Sequence, residues 1–425
     1  MQRLCFLSAL LLSLLWASVA AGSGWKATIV DHPRLPPKFL AVDKNTQKLL
    51  IYERQSPLRL LSTFPCTTGQ SDGDKQLEDD LRTPEGVYFV EGRKRGDLDW
   101  ELYGNLAYPL NYPNPIDRLR GKTGYGIWVH GRGKKLVPRD TRGCVAMNTN
   151  DLKGLGDDMQ FGLPVIISDR VQVAESEAPL SPEVSRDLDE AVSLVGKWAR
   201  DWETGSDEFF SHYDPKRFSK TGDMSFERFK GHKRGLFKRY PWIRVMAYDV
   251  RAVPGPDYVV TYFRQYYRTP TLATEGIKRL YWMRDKGGQL RIVGREWKRT
   301  ERTLDNEFLA SARKQIAPAI EAWREAWAKA DIAHYMDFYD KHAIQGERVD
   351  AKAIREQKIA LWDAAPPRHV AFLSPKYTLV PEGVEVTFGQ TYIAHSGYED
   401  HGIKTILLAP AGAGWKILRE DWRPL

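Results

Sequence analysis

One histidine and one cysteine are spaced so that they can act as a base and a nucleophile. His130 ends the apolar segment IWVH, and Cys144 follows 14 residues later, directly after Gly143. An imidazole beside a thiol can take its proton near neutral pH, and the thiolate then attacks a carbonyl carbon. Gly143 lets the backbone approach such a carbonyl closely, so the amides of residues 142–144 are candidates for an oxyanion hole. The structural alternative is a histidine at a strand end and a small buried cysteine.

Short runs of β-branched and aromatic residues surround this pair. Gly, Pro, Asp and Asn separate the runs, which is typical of strands joined by turns. The runs are FLAVD, KLLIYER, LRLLSTFPC, GVYFVEG, YGIWVHG and LPVIISD. The sequence therefore predicts a β-rich domain over residues 38–170. Tyr108 and Tyr112 lie in an aromatic, Pro-broken segment that forms either a lid over the cleft or a packed surface loop. We interpret Asp140 as a surface residue without an assigned partner.

The chain after residue 185 repeats itself at an offset of 125 residues. Trp198 and Trp297 recur as Trp323 and Trp422. Several coincident matches at one offset indicate a duplicated domain, with copies at 186–302 and 303–425. Each copy has an aromatic helical stretch before its strands, which indicates an α+β unit. In the second copy we expect one helical face to carry Trp323, Trp327, Tyr335, Phe338 and Tyr339.

A second repeated pattern predicts a pocket in each copy. A Phe-x-Gln-x-Tyr motif lies in the strand region of both copies, and alternate residues of a strand face the same way. The glutamine is either a ligand-reading amide or a core amide satisfied by its neighbours. The predicted pocket residues are Gln265, Tyr267, Gln390 and Tyr392.

The first 21 residues have the pattern of a signal peptide. Arg3 precedes an apolar run to Trp16, and small residues follow up to Ala21, which suits signal peptidase. The uncharged stretch continues to Trp25, so retention as an inner-membrane anchor is the alternative. We expect an exported, periplasmic protein. Residues 171–185 are rich in polar and small residues with Pro, and are predicted to be a linker.

Charge and composition exclude other classes. Lys and Arg total 63 against 55 Asp and Glu, and this excess is spread along the chain, whereas a nucleic-acid binder concentrates it on one stripe. We therefore expect no nucleic-acid partner. There is no Gly-rich phosphate loop, so no cofactor is expected, and no metal either, because the later histidines lack metal-ligand spacing. These are His212, His334, His342, His395 and His401.

The segment around His130 and Cys144 resembles the catalytic domain of YkuD-type L,D-transpeptidases. The family motif joins a histidine to a later [S/T]-x-G-C, and Thr141 and Gly143 stand in register with it. Further matches to turn motifs and to the YafK-like branch are Cys66-Thr67-Thr68-Gly69, Thr83-Pro84-Glu85-Gly86, Asn111-Tyr112-Pro113-Asn114 and Asp117-Arg118.

This resemblance implies an enzyme acting on peptidoglycan stem peptides. Cys144 would be the nucleophile, His130 the general base, and the Gly131 carbonyl the group that orients the imidazole. Thr141, Arg142, Gly143 and Tyr112 would form the oxyanion and substrate-binding side of the site. The bond attacked would join diaminopimelate to D-Ala. Water as acceptor gives L,D-carboxypeptidase action, an amine gives a 3-3 cross-link, and cleavage of a wall-attached lipoprotein is a third outcome.

Two positions depart from the family pattern. The family often has His at the position of Arg142 and Arg or Asn at the position of Ala146, where the side chain helps to hold substrate carboxylate. Arg142 is either a replacement cation or a solvated loop charge. The loss at Ala146, together with the bulk of the duplicated domains, favours hydrolysis over transpeptidation. A decayed, non-enzymatic wall-binding scaffold and a general cysteine protease are the alternatives from other classes. Whether Cys66 pairs with Cys144 is left open.

The duplicated copies resemble NTF2-like cone domains. The expected fold is therefore multidomain, with a β-rich L,D-transpeptidase catalytic domain followed by two tandem α+β NTF2-like domains. The layout is similar to that of cell-shape L,D-carboxypeptidases of curved and helical bacteria. We expect at least one copy to bind glycan or stem peptide, or to form a homodimer.

Overall fold

The computed structural model describes residues 24–54, 58–173, 182–222 and 224–425. The predicted signal segment, 1–21, lies outside the described residues. So does 174–181, the middle of the predicted linker 171–185. The last residues of a strand, up to Val173, and the first of a helix, from Pro182, occupy the two ends of that linker.

The N-terminal domain is β-rich, as predicted, and every predicted run forms a strand. Its main sheet has nine strands in the order β5-β10-β2-β3-β4-β9-β8-β7-β6, and β1 pairs with β11 in a separate parallel ribbon. A 3-10 turn lies at Gly156–Asp158. The elements are β1 Lys26–Ile29, β2 Lys38–Asp43, β3 Lys48–Arg54, β4 Leu58–Thr67, β5 Gly86–Phe89, β6 Lys94–Arg95, α1 Trp100–Tyr103, β7 Leu106–Pro109, α2 Pro115–Leu119, β8 Trp128–Arg132, β9 Val145–Asn148, α3 Thr149–Gly154, β10 Pro164–Ser168 and β11 Arg170–Val173.

The first repeat places helices against an antiparallel sheet of order β12-β13-β14-β15. Its long helix buries one face, because Leu188, Ala191, Val195, Trp198 and Trp202 recur at three- and four-residue steps. The elements are α4 Pro182–Thr204, α5 Glu208–Ser211, α6 Pro215–Phe218, α7 Phe226–Arg239, β12 Arg244–Pro254, β13 Val259–Thr269, β14 Leu272–Arg284 and β15 Leu290–Arg299.

The second repeat has the same plan with one more strand. Its sheet order is β16-β20-β19-β18-β17, and β16 joins β20 in parallel. The elements are α8 Asp305–Ala328, α9 Ile332–Met336, β16 Tyr339–Gln345, α10 Ala351–Ala364, β17 Pro367–Val380, β18 Gly383–Ala394, β19 Glu399–Ala411 and β20 Gly414–Pro424.

The prediction of a single aromatic helical face in the second repeat is wrong in part. Trp323 and Trp327 lie on α8, but Tyr335 lies on α9 and Tyr339 on β16. The chain turns between the two helices, with a positive φ at Ala330 and a side-chain cap from Asp331. The aromatic residues still meet, because the turn folds them into one core.

The catalytic domain and the first repeat share a hydrophobic core. Large side chains of both sheets pack together there, so neither sheet face is exposed to water at the junction. The main contributors are Phe39, Tyr52 and Ile166 from the catalytic domain and Val253, Val260, Tyr281 and Val293 from the repeat.

Polar contacts fix the register of this junction. The Val87 amide donates to the Tyr258 hydroxyl at 2.8 Å, and the Asn111 amide donates to Glu296 at 2.9 Å. Arg279 forms an ion pair with Glu91 at 2.5 Å. The catalytic domain is therefore joined to the first repeat as one packed unit.

Tyr258→Phe tests this junction. The substitution leaves the buried Val87 amide without an acceptor, so we expect the free energy of unfolding to fall by about 1–3 kcal/mol. Chemical denaturation followed by far-UV circular dichroism measures it. Tyr248→Phe, at an exposed tyrosine of the same repeat, is the matched control and should change the free energy little. Equal effects of the two substitutions would contradict the packed junction.

Candidate active site

Parallel pairing of β8 with β9 brings His130 and Cys144 to one face of the sheet. His130 lies opposite Ala146, and Val129 opposite Val145. Cys144 precedes β9 by one residue, which places it level with Trp128. Because alternate residues share a face, the side chains of Cys144 and His130 project to the same side.

The backbone of the next residue fixes the His130 imidazole. Its Nδ1 lies 2.7 Å from the Gly131 carbonyl oxygen, which can only accept, so Nδ1 carries the proton and Nε2 keeps its lone pair. This is the contact that the family resemblance implies for Gly131. The ring is buried and packs edge-on against Tyr103 at 5.0 Å. Burial lowers the pKa of His130 to about 4, so the imidazole is neutral and able to accept a proton at physiological pH.

The Cys144 thiol is protonated in the free protein. Desolvation raises its pKa to about 11, although a hydrogen bond from the Trp128 backbone and the charges of Lys75 and Arg132 oppose that shift. Its Sγ donates to the Gly126 carbonyl at 3.4 Å, and the residue is half-buried. The thiol and the imidazole are thus both neutral in the free protein. Both Cys66 and Cys144 are free, and Cys66 is buried in the core.

Thr141 and Gly143 shape the turn before Cys144. The Thr141 hydroxyl donates to the Cys144 carbonyl at 2.7 Å and accepts from the Gly143 amide at 3.1 Å. Gly143 has φ of 126°, and a Cβ there would meet the Arg82 carbonyl at 2.8 Å, so only glycine fits. The Gly143 amide already donates to Thr141 in the free protein, and its place in an oxyanion hole stays a prediction.

The predicted substrate-side residues are placed differently from one another. Arg142 is exposed and forms an ion pair with Asp79 at 3.1 Å, so its guanidinium lies at the surface. Ala146 is buried on the same face as His130. Tyr112 is buried beside Tyr88, and its hydroxyl donates to the Thr123 carbonyl at 2.9 Å.

The lid interpretation is wrong for both tyrosines. Tyr108 is buried on β7 and Tyr112 packs in the same core, because a Pro-broken aromatic segment can also fill a domain interior. The assignment of Asp140 as an unpartnered surface residue is also wrong. Its carboxylate forms an ion pair with the buried Arg132, and its amide donates to Thr67 at 2.9 Å. These contacts hold the loop between β8 and the nucleophile.

A second candidate site lies in the second repeat. A cavity of about 590 Å³, here called the second chamber, opens between α10 and the sheet. Its buried charged side chains are Lys358, Lys404 and Glu420. Lys404 forms an ion pair with Glu420, and both cations hold the pKa of that carboxyl at about 2. Burial lowers the pKa of Lys358, whose Nζ lies 4.4 Å from the Trp327 ring centroid, to about 8.

The structure places the predicted pocket glutamines and tyrosines in different surroundings in the two repeats. Gln390 and Tyr392 line the second chamber. Gln265 and Tyr267 are buried in the first repeat, with Tyr267 against Trp202 at 5.4 Å. The oxygens Gln265 Oε1 and Gln390 Oε1 have no hydrogen-bond partner among the described residues.

The sequence analysis did not identify the charged residues of the second chamber, because Lys358, Lys404 and Glu420 are isolated charged residues along the sequence. The repeat itself was the available signal, since charged residues recur at its offset. Across the described ranges, no group of three His, Cys, Asp or Glu side chains is arranged to hold a metal ion. Nor is any helix in those ranges both long and apolar enough to cross a membrane.

Fold and site together define an L,D-transpeptidase-type domain followed by two NTF2-like domains. The sequence model of the L,D-transpeptidase catalytic domain (YkuD) matches residues 37–167. The model of the Cds6 C-terminal NTF2-like domain matches twice, at 190–296 and 315–421, together about half of the chain. The chain belongs to the Cds6 C-terminal NTF2-like family and carries a YkuD-type catalytic domain in front of the two copies.

Individual relatives match parts of the chain. YafK of Escherichia coli (strain K12) is 27% identical over 145 residues, which are 34% of this chain and 54% of YafK. The chain thus spans about half the length of the curated relatives that it matches. Among solved structures, Bdellovibrio bacteriovorus Bd1075 is 27% identical with a TM-score of 0.50, covering 65% of this chain and 97% of that one. The helical cell shape determining protein Pgp2 of Campylobacter jejuni is 26% identical with a TM-score of 0.46, covering 61% and 91%.

The pKa of Cys144 makes a prediction for thiol chemistry. With a pKa of about 11, the thiolate fraction rises about tenfold per pH unit below that value. We expect the rate of alkylation by iodoacetamide to rise log-linearly from pH 6 to 9, as measured by intact mass. The Cys144→Ala protein should remain unlabelled, because burial raises the pKa of Cys66 to about 12. A rate that is constant across this range would instead indicate a preformed thiolate–imidazolium pair.

Proposed function

We propose that the chain is an exported, peptidoglycan-modifying cysteine acyltransferase of L,D-transpeptidase type. Its substrate is the stem tetrapeptide, and the bond broken joins diaminopimelate to D-Ala. The observation that carries the proposal is the bond between His130 Nδ1 and the Gly131 carbonyl, which leaves Nε2 as a base on the face shared with Cys144. The matched catalytic domain supplies the substrate class.

The reaction begins with proton transfer from the Cys144 thiol to His130 Nε2. The sulfur then forms a bond to the carbonyl carbon of diaminopimelate, and the tetrahedral intermediate expels D-Ala, whose amine takes the proton from the imidazolium. The resulting thioester reacts with water, which His130 deprotonates. This releases the tripeptide and restores the thiol.

Hydrolysis is the favoured outcome because the acceptor side offers little to hold a second stem peptide. Ala146 has no polar side chain, and the Arg142 guanidinium is engaged with Asp79. Transfer to an amine, giving a 3-3 cross-link, is the second outcome, and cleavage of wall-attached lipoprotein a third. A non-enzymatic wall-binding scaffold remains the alternative from another class.

Mass spectrometry of muropeptides tests the reaction. Wild-type protein should convert tetrapeptide to tripeptide, and Cys144→Ala should abolish the conversion, because no other group forms the thioester. His130→Gln should slow it by about a hundredfold or more. Cys66→Ala, which removes a buried cysteine of β4, is the matched control and should retain activity. Trimming by the Cys144→Ala protein would overturn the proposal, whereas mainly 3-3 dimers from wild type would overturn only the choice of acceptor.

The second chamber is the proposed wall-binding site of the same protein. Stem peptides carry both amines and carboxylates, and the chamber presents a buried cation beside a buried ion pair together with aromatic walls. Deleting residues 186–425 would not test this site cleanly, because the first repeat shares a core with the catalytic domain. Point variants in the second repeat leave that core intact.

Lys358→Met should weaken binding of tetrapeptide muropeptides by about tenfold while leaving the rate of Cys144 acylation unchanged. Isothermal titration calorimetry on full-length Cys144→Ala protein, with and without the substitution, measures the affinity. Lys352→Met, at an exposed lysine of the same helix, is the control. Equal affinities of the two variants would contradict a binding role for this chamber.

We also propose a cellular location and an oligomeric state for the protein. The apolar segment 1–21 supports export to the periplasm, with retention as an inner-membrane anchor as the alternative. We further propose that the protein forms a homodimer through an NTF2-like domain. Size-exclusion chromatography with light scattering tests this directly.

A further inference from the structure

The two repeats differ in charge at one equivalent position of their last strands. Glu420 on β20 lies opposite Ile406, and its counterpart 125 residues earlier, Arg295 on β15, lies opposite Leu280. The cations around it are retained, since Lys233 and Lys278 correspond to Lys358 and Lys404. The first repeat therefore has a third cation where the second has its carboxylate.

Three cations thus lie close together inside the first repeat, and the cluster of their side chains, between α4, α7 and the sheet, is here called the first chamber. Lys278 is buried beneath Trp198, and Lys233 Nζ lies 3.4 Å from the Trp202 ring centroid. The Arg295 guanidinium lies 5.0 Å from the Phe229 ring. Lys233 and Arg295 are half-buried, so the cluster is partly accessible to solvent.

No carboxylate balances these charges within the described part of the chain. None of the three cations forms an ion pair or a hydrogen bond with a described residue, whereas Lys404 has its internal partner in Glu420. Burial and the neighbouring Arg295 charge lower the pKa of both Lys233 and Lys278 well below its usual range. Glu296 raises the pKa of Lys278, but its carboxylate is engaged with Arg279, Tyr281 and Asn111 at the junction.

Several hydrogen-bond donors beside these cations are also unused. The Trp202 indole nitrogen, the Tyr267 hydroxyl and the Arg295 Nε are buried without hydrogen-bond partners among the described residues. A buried donor without an acceptor costs free energy, and an unpaired buried cation costs more. An anion in this chamber would satisfy both kinds of group at once.

We infer that the first chamber binds a compact polyanion, a group with two or more negative charges such as a phosphomonoester or a pair of carboxylates. This ligand class differs from that of the second chamber. There the carboxylate of Glu420 supplies the negative charge, whereas in the first chamber a ligand supplies it. This inference does not rest on the proposed acyl transfer, since neither His130 nor Cys144 takes part in it.

Thermal unfolding of the full chain at constant ionic strength tests the inference. The probes are inorganic phosphate, malonate as a dicarboxylate, and acetate as a monoanion. Phosphate or malonate should raise the Tm of the wild type in a saturable way, and acetate should not. The anion whose effect saturates at the lower concentration indicates whether the chamber prefers a phosphate or a pair of carboxylates.

Arg295→Glu copies the charge pattern of the second repeat and should weaken the anion response by about tenfold or more, because it removes one cation and pairs another. Arg299→Glu, an exposed arginine of the same strand, makes the same charge change and should leave the response intact. Lys278→Met provides a second loss without adding a carboxylate. A response absent from the wild type, or equal in Arg295→Glu and Arg299→Glu, would overturn the inference.

Discussion

The parallel pairing of β8 with β9 is the constraint on which the catalytic site depends. It places His130 and the start of β9 on one face, and the loop between them is held from both sides. Arg132 and Asp140 form an ion pair across the loop, and Thr141 closes the turn before Cys144. Cys144 and His130 therefore take their positions from strand register, and one backbone carbonyl orients the imidazole.

Desolvation decides the protonation state of this pair. Burial lowers the pKa of His130 and raises that of Cys144, so both groups are neutral in the free protein. Such a pair does not expose a reactive thiolate in the absence of substrate. A protonated thiol is a weaker nucleophile than a thiolate, so this state limits side reactions of Cys144.

The duplicated domains have kept one fold and diverged in charge. The first repeat has become part of the catalytic unit through a shared core, with Tyr258, Tyr281 and Arg279 facing the neighbouring domain. The second repeat contacts the first through a smaller cluster that includes Tyr266 and Phe308. Its chamber keeps an internal ion pair, while the corresponding chamber of the first repeat has a third cation.

Local patterns predicted what is local in the structure. Residue types and distances along the chain were enough to predict the strands around His130, the spacing to Cys144 and the offset of the repeats. Strand alternation and domain duplication both depend only on the order of residues in the sequence. The burial of Tyr112 could not be predicted in this way, since its core is assembled from strands that are far apart in the chain. The partner of Asp140 and the engagement of the Gly143 amide involve nearby residues, Arg132 and Thr141, but both contacts depend on how the loop folds back on itself. The chamber charges escaped for the same reason as the burial of Tyr112: Lys233, Lys278 and Arg295 come from one helix and two strands and meet only in the folded domain.

The most direct test of the central claim is acylation of the intact protein by a carbapenem, read by mass. We expect one covalent adduct per chain, located on Cys144 by peptide mapping, formed far more slowly by His130→Gln and absent from Cys144→Ala. An unmodified wild type, or an adduct that persists when Cys144 is replaced, would contradict it.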